Sequence, residues 1–349
     1  MSHGLMKPLL SALFLMLTLP ALAEDDWTSL PHLPDPEGFA GSFAGVSGGA
    51  LIVAGGTNFP DKRPWEGGTK VWYERIYALE QPEGTWKEAG HLPKANGYGV
   101  SITTPEGLIC IGGGDATHNF QEVFRLAYRA GQVTLTELPA LPQRCAFMAG
   151  AEMDGVIYVC GGIETPTATK AMNTLWALDL QHLDKGWKTL APCPGPGRIL
   201  ATMAALEGSL YLFSGAALKA DAEGKPTREW LKDAWTWQPN QGWKKISDLP
   251  RVAVAAPSPA PIVNGNILVL GGDDGALVNF EPKDKHPGFP REILAYHPGS
   301  DSSVGLGDLP FSLVTTPAVE WQGQIVIPGG EARPGKRSPA VWMGRITPP

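Results

Sequence analysis

The chain has 349 residues, with 28 Lys and Arg against 35 Asp and Glu, and a formal net charge of −7 at pH 7. No block of basic residues interrupts this acidic balance, so nucleic-acid binding is not expected. The same balance disfavours long-range attraction of an anionic small molecule, and binding of such a ligand would require a local cluster of arginines.

The first element in chain order has the pattern of a secretory leader. Lys7 precedes an apolar run over residues 9–19, which ends at Ala21-Leu22-Ala23 just before Glu24. An A-x-A end is typical of a cleavage site, and the run is shorter than the roughly 20 apolar residues of a membrane-spanning helix. The sequence therefore predicts cleavage after Ala23, a mature chain over residues 24–349, and a periplasmic or secreted protein without membrane insertion.

Export makes disulfides chemically possible for the four cysteines, but their spacing leaves the pairing open. Cys110 and Cys160 lie within apolar strand patterns, which favours buried free thiols there. No C-x-x-C or histidine-rich spacing is present, so no metal site is predicted.

A unit of roughly 50 to 60 residues recurs along the rest of the chain. Each copy has a strand rich in small residues, a strand that ends in two small residues, a variable loop, a third strand and a closing phrase with Leu-Pro. The paired small residues occur six times, at residues 55–56, 112–113, 161–162, 214–215, 271–272 and 329–330. The closing phrases lie at residues 86–93, 135–142, 187–192, 243–250 and 305–310.

The last unit has no closing phrase after its third strand near residues 341–346. The missing phrase is at the other end of the chain, where residues 27–34 read Trp-Thr-Ser-Leu-Pro-His-Leu-Pro. We therefore expect the N-terminus to supply the outer strand of the C-terminal unit, which closes a ring and removes an exposed sheet edge. The units resemble kelch repeats, and this resemblance implies an all-β, six-bladed kelch-type β-propeller as a single domain over residues 24–349.

Chain reversal at each turn decides which loops share a face of the ring. The link between two blades and the loop after each pair of small residues fall on the same face, so they meet at one mouth of the central channel. The links bring polar residues to this mouth, namely Asn96, Tyr98, Arg144, Arg198 and Arg251. The loops bring Asn58, Asp61, Arg63, Asp115, His118, Glu164, Asp273, Asp274 and residues 330–337. Arginine after Leu-Pro is also a structural residue of the kelch pattern, so a structural role stays open for Arg144 and Arg198.

Residues 330–337 carry one carboxylate and three cations on a short loop, Gly-Glu-Ala-Arg-Pro-Gly-Lys-Arg. This segment resembles the G-E-A-K-P-G-x-R loop of the N-acetylneuraminate epimerases, the sialic acid mutarotases, which are six-bladed kelch propellers of the bacterial envelope. Residues 38–45 and 97–101 match two further segments of that family. The glutamate loop precedes the other two in the family and follows them here, so the chain resembles a cyclically permuted member.

The resemblance implies an isomerase that interconverts the α and β anomers of N-acetylneuraminate by acid/base opening and closure of the ring. Glu331 is then the acid/base residue, and Arg337 and Arg198 bind the substrate carboxylate. Their position at the mouth adds Arg144, Arg333, Tyr98 and Asn96 as substrate-binding residues. The expected partner is a small sugar acid, and no cofactor is implied. The family often has an arginine where this chain has Asn96. This difference bears on which substituents of the sugar are recognised more than on the anomeric chemistry.

Three alternatives belong to other classes. A kelch binding module would hold an anionic sugar without turnover, and the fold alone would favour it. A copper radical oxidase would require two histidines, with His118 and His286 as candidates, and a cysteine in a tyrosine-rich setting that is absent at the mouth. A sialidase would require an S-x-D-x-G-x-x-W box, which the sequence lacks. The preferred sialic acid and the oligomeric state stay open.

Overall fold

The computed structural model describes Met1 and residues 26–347. The predicted leader therefore lies outside the described residues except for Met1, and its cleavage stays a prediction. Among the described residues, no helix is long and apolar enough to cross a membrane.

Six four-stranded antiparallel sheets form the blades of a β-propeller. Blade 1 contains Phe43–Ser47, Ala50–Ala54, Arg75–Leu79 and Lys87–His91; blade 2 contains Val100–Thr104, Gly107–Ile111, Val123–Arg129 and Gln132–Leu138. Blade 3 contains Ala149–Met153, Val156–Cys160, Leu175–Asp179 and Lys188–Leu190; blade 4 contains Thr202–Leu206, Ser209–Phe213, Ala234–Gln238 and Gly242–Ile246. Blade 5 contains Ile262–Val263, Asn266–Leu270, Glu292–His297 and Ser302–Asp308; blade 6 contains Val319–Trp321, Gln324–Pro328, Val341–Arg345 and the N-terminal Asp26–Leu30.

The second strand of each blade is a short run of mainly apolar residues because neighbouring blades cover both of its faces. All five residues of Ala50–Ala54 and of Gly107–Ile111 are buried. Continuous runs of this length are typical of fully buried strands. The core therefore consists of apolar layers between blades, such as the one in which Phe43 meets Phe124 with ring centroids 6.3 Å apart.

The ring closes through the N-terminal strand, which confirms the closure predicted from the sequence. Asp26–Leu30 pairs antiparallel with Val341–Arg345, with Trp27 opposite Gly344. Trp27 also packs edge-on against Phe311 at a centroid distance of 5.1 Å. The last blade thus gains an outer strand from the start of the chain, and its third strand is not left as an edge.

A closed circle of backbone hydrogen bonds narrows the central channel. Each blade contributes one residue, whose N–H donates to the carbonyl of the equivalent residue in the preceding blade at 2.7 to 2.9 Å. All six have a φ between 56° and 67°, a region that costs non-glycine residues about 1–2 kcal/mol each. The residues of this circle are Gly41, Tyr98, Phe147, Leu200, Ala255 and Thr315.

Extra structure rises from the loops between the second and third strands of four blades. Three of these loops contain hairpins, formed by Thr57–Asn58 with Val71–Trp72, Ala216–Ala220 with Pro226–Trp230, and Glu331–Arg333 with Lys336–Arg337. The 3₁₀ helices Pro64–Glu66 and Lys283–Lys285 belong to the loops of blades 1 and 5, and Leu183–Lys185 lies in blade 3. The insertions between second and third strands wall one mouth of the channel, whereas Leu183–Lys185 lies between the third and fourth strands of its blade. All four cysteines are buried and free, as expected for Cys110 and Cys160.

Candidate active site

The mouth that the loops surround opens into a cavity of about 760 Å³. This volume falls within the roughly 300–1,000 Å³ typical of small-molecule sites. The circle of hydrogen-bonded residues forms the floor, and the loop insertions of blades 1, 4, 5 and 6 form the walls. The lining includes Phe59, Lys70, Tyr98, Phe147, Arg228, Trp230, Asp273, His286, Phe289, Thr315, Glu331 and Arg337.

Glu331 and Arg337 are paired across one hairpin of blade 6. The hairpin turns at Pro334 and Gly335, where Gly335 has a φ of 75° that favours glycine. The Gly335 N–H donates to Glu331 Oε1 at 2.7 Å, and Arg337 Nη1 lies 2.7 Å from the same oxygen. The Arg337 side chain is 3% exposed and the Glu331 side chain 20%. The short segment thus fixes a carboxylate and a guanidinium together at the cavity wall.

The guanidinium of Arg337 has donors to spare. Its Nη1 is close to Glu331 but not aligned as a hydrogen bond, and among the described residues Nε and Nη1 have no hydrogen-bond partner. Its Nη2 reaches Tyr98 Oη only at 3.5 Å, and its Cζ lies 5.0 Å from the centre of the Phe59 ring. Buried polar groups without partners are costly. Nε and Nη2 of Arg337 thus have donor capacity that the described residues do not fully use.

Tyr98 belongs to the floor of the cavity, and its hydroxyl lies near Arg337. Its ring stacks on Phe147 at a centroid distance of 4.5 Å, and its hydroxyl is 2.8 Å from Thr57 Oγ1. Lys70 Nζ lies 5.1 Å from the centre of the Tyr98 ring, so a second cation borders this part of the cavity. The structure therefore brings three of the residues predicted from the sequence to the cavity, namely Glu331, Arg337 and Tyr98.

Arg198 lies away from the cavity, contrary to the expectation that it binds substrate. Its side chain is 2% exposed and forms two parallel bonds with Asp233, at 3.0 and 2.7 Å, and one with the Ser214 carbonyl at 2.9 Å. Burial raises the pKa of Asp233, but the hydrogen bonds and charge of Arg198, together with the Trp235 hydrogen bond and the charge of Lys245, outweigh burial, and the pKa is lowered. Since its donors are taken by this bidentate pair, Arg198 holds the start of a strand and is not available to a ligand.

The other three expected binding residues are not among those that line the cavity. Arg144 is exposed on the link between blades 2 and 3. Asn96 is buried, and its Nδ2 donates to the Gly112 carbonyl at 3.0 Å. Arg333 turns toward blade 5, where its Nη1 donates to the Asp284 carbonyl. We therefore leave these three residues out of the proposed site.

Several lining residues were missed because they belong to loops of variable length. Phe59, Lys70 and Arg228 come from the insertions of blades 1 and 4. His286, considered from the sequence only as a candidate copper ligand, comes from blade 5. His286 is buried near Phe289, its Nδ1 accepts the Gly288 N–H at 3.1 Å, and burial lowers its pKa. The one signal in the sequence is the length of these loops, which exceeds what a connection between adjacent strands needs.

Comparison with known proteins gives one family. A family model described as N-acetylneuraminate epimerase matches residues 4–135 and 138–280. A protein named N-acetylneuraminate epimerase from Yersinia enterocolitica is 28% identical over 234 residues, covering 59% of this chain and 57% of that protein. One of the same name from Brucella melitensis is 28% identical over 250 residues, covering 63% and 62%. The chain thus spans less than two thirds of the length of these relatives.

A solved structure titled "Structure of YjhT" superimposes with a TM-score of 0.64 at 16% identity, covering 88% of this chain and 95% of that one. At this identity the likeness supports the propeller fold alone. The hairpin with Glu331 and Arg337 follows the two ranges that the family model matches. The cyclic permutation suggested by the order of the motifs stays a prediction.

Proposed function

Because the chain belongs to the N-acetylneuraminate epimerase family, we propose that it is a sialic acid mutarotase, an isomerase that interconverts the α and β anomers of N-acetylneuraminate. The observation that carries this proposal is the ion pair of Glu331 and Arg337 at the cavity wall, in which a carboxylate lies beside a buried guanidinium with unused donors.

Arg337 positions the substrate. A planar carboxylate accepts two parallel hydrogen bonds from a guanidinium, which an ammonium group cannot provide. Nε of Arg337 has no hydrogen-bond partner among the described residues and Nη2 reaches Tyr98 Oη only at 3.5 Å, so these two parallel donors suit the C1 carboxylate of a sialic acid, which lies next to the anomeric carbon. The anomeric hydroxyl is then held close to Glu331, because Arg337 and Glu331 lie on one hairpin.

Glu331 moves the proton of the anomeric hydroxyl. When its carboxylate accepts this proton and the ring oxygen receives a proton, the bond between C2 and the ring oxygen breaks and an open-chain keto acid with a free hydroxyl forms. Rotation about the bond between C2 and C3 presents the other face of the ketone, and Glu331 returns the proton as the ring closes. A positioned acid/base group contributes about 10²- to 10⁴-fold in rate, which is appreciable for a reaction that also proceeds in water.

The test is anomer exchange measured by saturation-transfer NMR. Glu331→Gln keeps the shape of the side chain and an acceptor for Gly335, so sialic acid should still bind while exchange falls to the solution rate. Glu320→Gln is the matched control, because it makes the same change in an exposed residue of the same blade. Glu320 does not line the cavity of Glu331; it lines a separate cavity at the opposite mouth of the channel. The control should exchange like the wild type.

Two outcomes would count against the proposal. Binding of sialic acid by the wild-type protein without any acceleration of exchange would favour a non-catalytic binding module. Near-normal exchange by Glu331→Gln would remove Glu331 from the mechanism.

A further inference from the structure

Asp273 lies in blade 5 at the same repeat position that Glu331 occupies in blade 6. In each blade, the residue directly after the paired small residues forms a backbone bridge with the link that leads into that blade. The six equivalent residues are Thr57, Gly114, Ile163, Ala216, Asp273 and Glu331. Blades 2 to 4 carry glycine or an apolar residue there, whereas the adjacent blades 5 and 6 carry carboxylates. Asp273 and Glu331 both line the cavity.

The two carboxylates have different surroundings. Glu331 is one half of the ion pair with Arg337. Asp273 is partly buried, and its Oδ1 accepts the Gly275 N–H at 2.9 Å. Burial raises the pKa of Asp273, and the charges of Asp274 and Glu331 add to this, although the Gly275 N–H and Arg228 act in the opposite direction. Two carboxylates whose environments differ in this way suit an acid and a base in one reaction.

We propose that Asp273 is the second catalytic residue of this site and donates a proton to the ring oxygen while Glu331 accepts the proton of the anomeric hydroxyl. This inference rests on the proposed mutarotase function. In ring opening, the electrons of the bond between C2 and the ring oxygen stay on that oxygen, which takes the proton of the Asp273 carboxyl. Glu331 leaves the step protonated and Asp273 ionised. Ring closure reverses both transfers, so the two carboxyl groups return to their starting states.

Other polar groups of the cavity fit this role less well. The guanidiniums of Arg228 and Arg337 do not give up a proton in proteins. His286, which also faces Asp273, is held largely neutral because burial lowers its pKa, and its Nδ1 is occupied as an acceptor. Asp273 is thus the one carboxyl besides Glu331 among the described residues that line this cavity.

The experiment compares Asp273→Asn with Asp274→Asn. Asparagine at position 273 keeps an oxygen for the Gly275 N–H but has no acidic proton to transfer to the ring oxygen. We expect Asp273→Asn to bind sialic acid and to lose about 10²- to 10⁴-fold in catalysed exchange. Asp274, the adjacent residue, does not line this cavity, so its variant should keep the wild-type rate at low pH. Its alkaline limb should move to lower pH, because the charge of Asp274 that helps to raise the pKa of Asp273 is lost. Solution exchange at each pH is subtracted in every case.

The pH profile gives an independent readout. Asp273 must be protonated to act, so wild-type exchange should fall as pH rises through the raised pKa of Asp273. This alkaline limb should be absent from the residual exchange of Asp273→Asn. If the asparagine variant does not fold, Asp273→Ser takes its place, because a serine hydroxyl also accepts a local N–H.

The outcomes separate this inference from the proposed function. Catalysed exchange by the wild type that survives in Asp273→Asn with the same pH profile would overturn the role of Asp273 and leave the mutarotase function standing. Loss of exchange in His286→Gln but not in Asp273→Asn would overturn it in favour of the histidine. No catalysed exchange by the wild type would overturn both.

Discussion

Replacing Leu33 with alanine removes a buried side chain from the segment that closes the ring. Leu33 is 3% exposed and packs in the apolar cluster that joins blades 6 and 1, with Phe39 and Trp321 among its members. Its backbone N–H donates to the Pro339 carbonyl at 2.9 Å. The substitution therefore weakens the junction between the two ends of the chain without changing any strand.

The expected loss follows from the burial of this leucine. A buried Leu→Ala change costs about 2–5 kcal/mol in the free energy of unfolding. With about 2.1 cal/mol/K of unfolding entropy per residue, the roughly 320 residues that the structure describes convert this loss into a decrease in Tm of about 3–7 °C. Leu135→Ala is the matched control, because Leu135 is 40% exposed on the outer strand of blade 2. Its cost should stay within about 0.5 kcal/mol.

Thermal unfolding followed by circular dichroism measures the change in Tm. Amide hydrogen exchange shows which strands lose stability. If the ring opens as one unit, exchange in the opposite strand Val156–Cys160 should accelerate as much as in Gln324–Pro328. The lower bound of 2 kcal/mol corresponds to about a 30-fold acceleration. Equal Tm values for Leu33→Ala and Leu135→Ala, or acceleration confined to blade 6, would refute the closure argument.

Two further predictions concern arginines. Arg337→Lys keeps a positive charge but loses the planar pair of donors, so sialic acid should bind about 10- to 100-fold more weakly in a titration, in line with 1.5–3 kcal/mol for charged hydrogen bonds; unchanged affinity would exclude a bidentate contact. Arg198→Lys breaks the parallel bonds to Asp233, so Tm should fall while affinity stays at the wild-type value; the reverse result would return Arg198 to the binding site.

The fold could be predicted because each repeat carries its own local signals. The glycine pairs demand positive φ, as at Gly55 and Gly56 with 63° and 94°, and each is flanked by a short apolar strand. The closing phrase at residues 27–34 had no blade of its own in chain order, which indicated where the ring closes. These features depend on neighbours within a few residues, so no long-range information was needed to recognise them.

The site was only partly predictable, because the direction of a side chain and the residue with which it pairs are not fixed by the local sequence. Glu331 and Arg337 were found because one seven-residue hairpin segment contains both. Arg198 was assigned to substrate because its link does run near the mouth, but its partner Asp233 lies 35 residues further along the chain and only the fold brings them together. Phe59 and His286 lie on insertions whose course no repeat pattern specifies.

Charges at two repeat positions of this propeller have different consequences. A cation on the link into a blade pairs with an acid at the start of that blade's third strand in blades 2, 4 and 5, through Lys94 with Glu122, Arg198 with Asp233 and Arg251 with Glu292. These pairs fix the blades. A charge directly after the paired small residues instead faces the cavity, and this occurs in blades 5 and 6. The proposed substrate, a sugar acid, is itself asymmetric, so its binding would require the sixfold pattern to be broken at this second position. The backbone bridge there forms with any side chain.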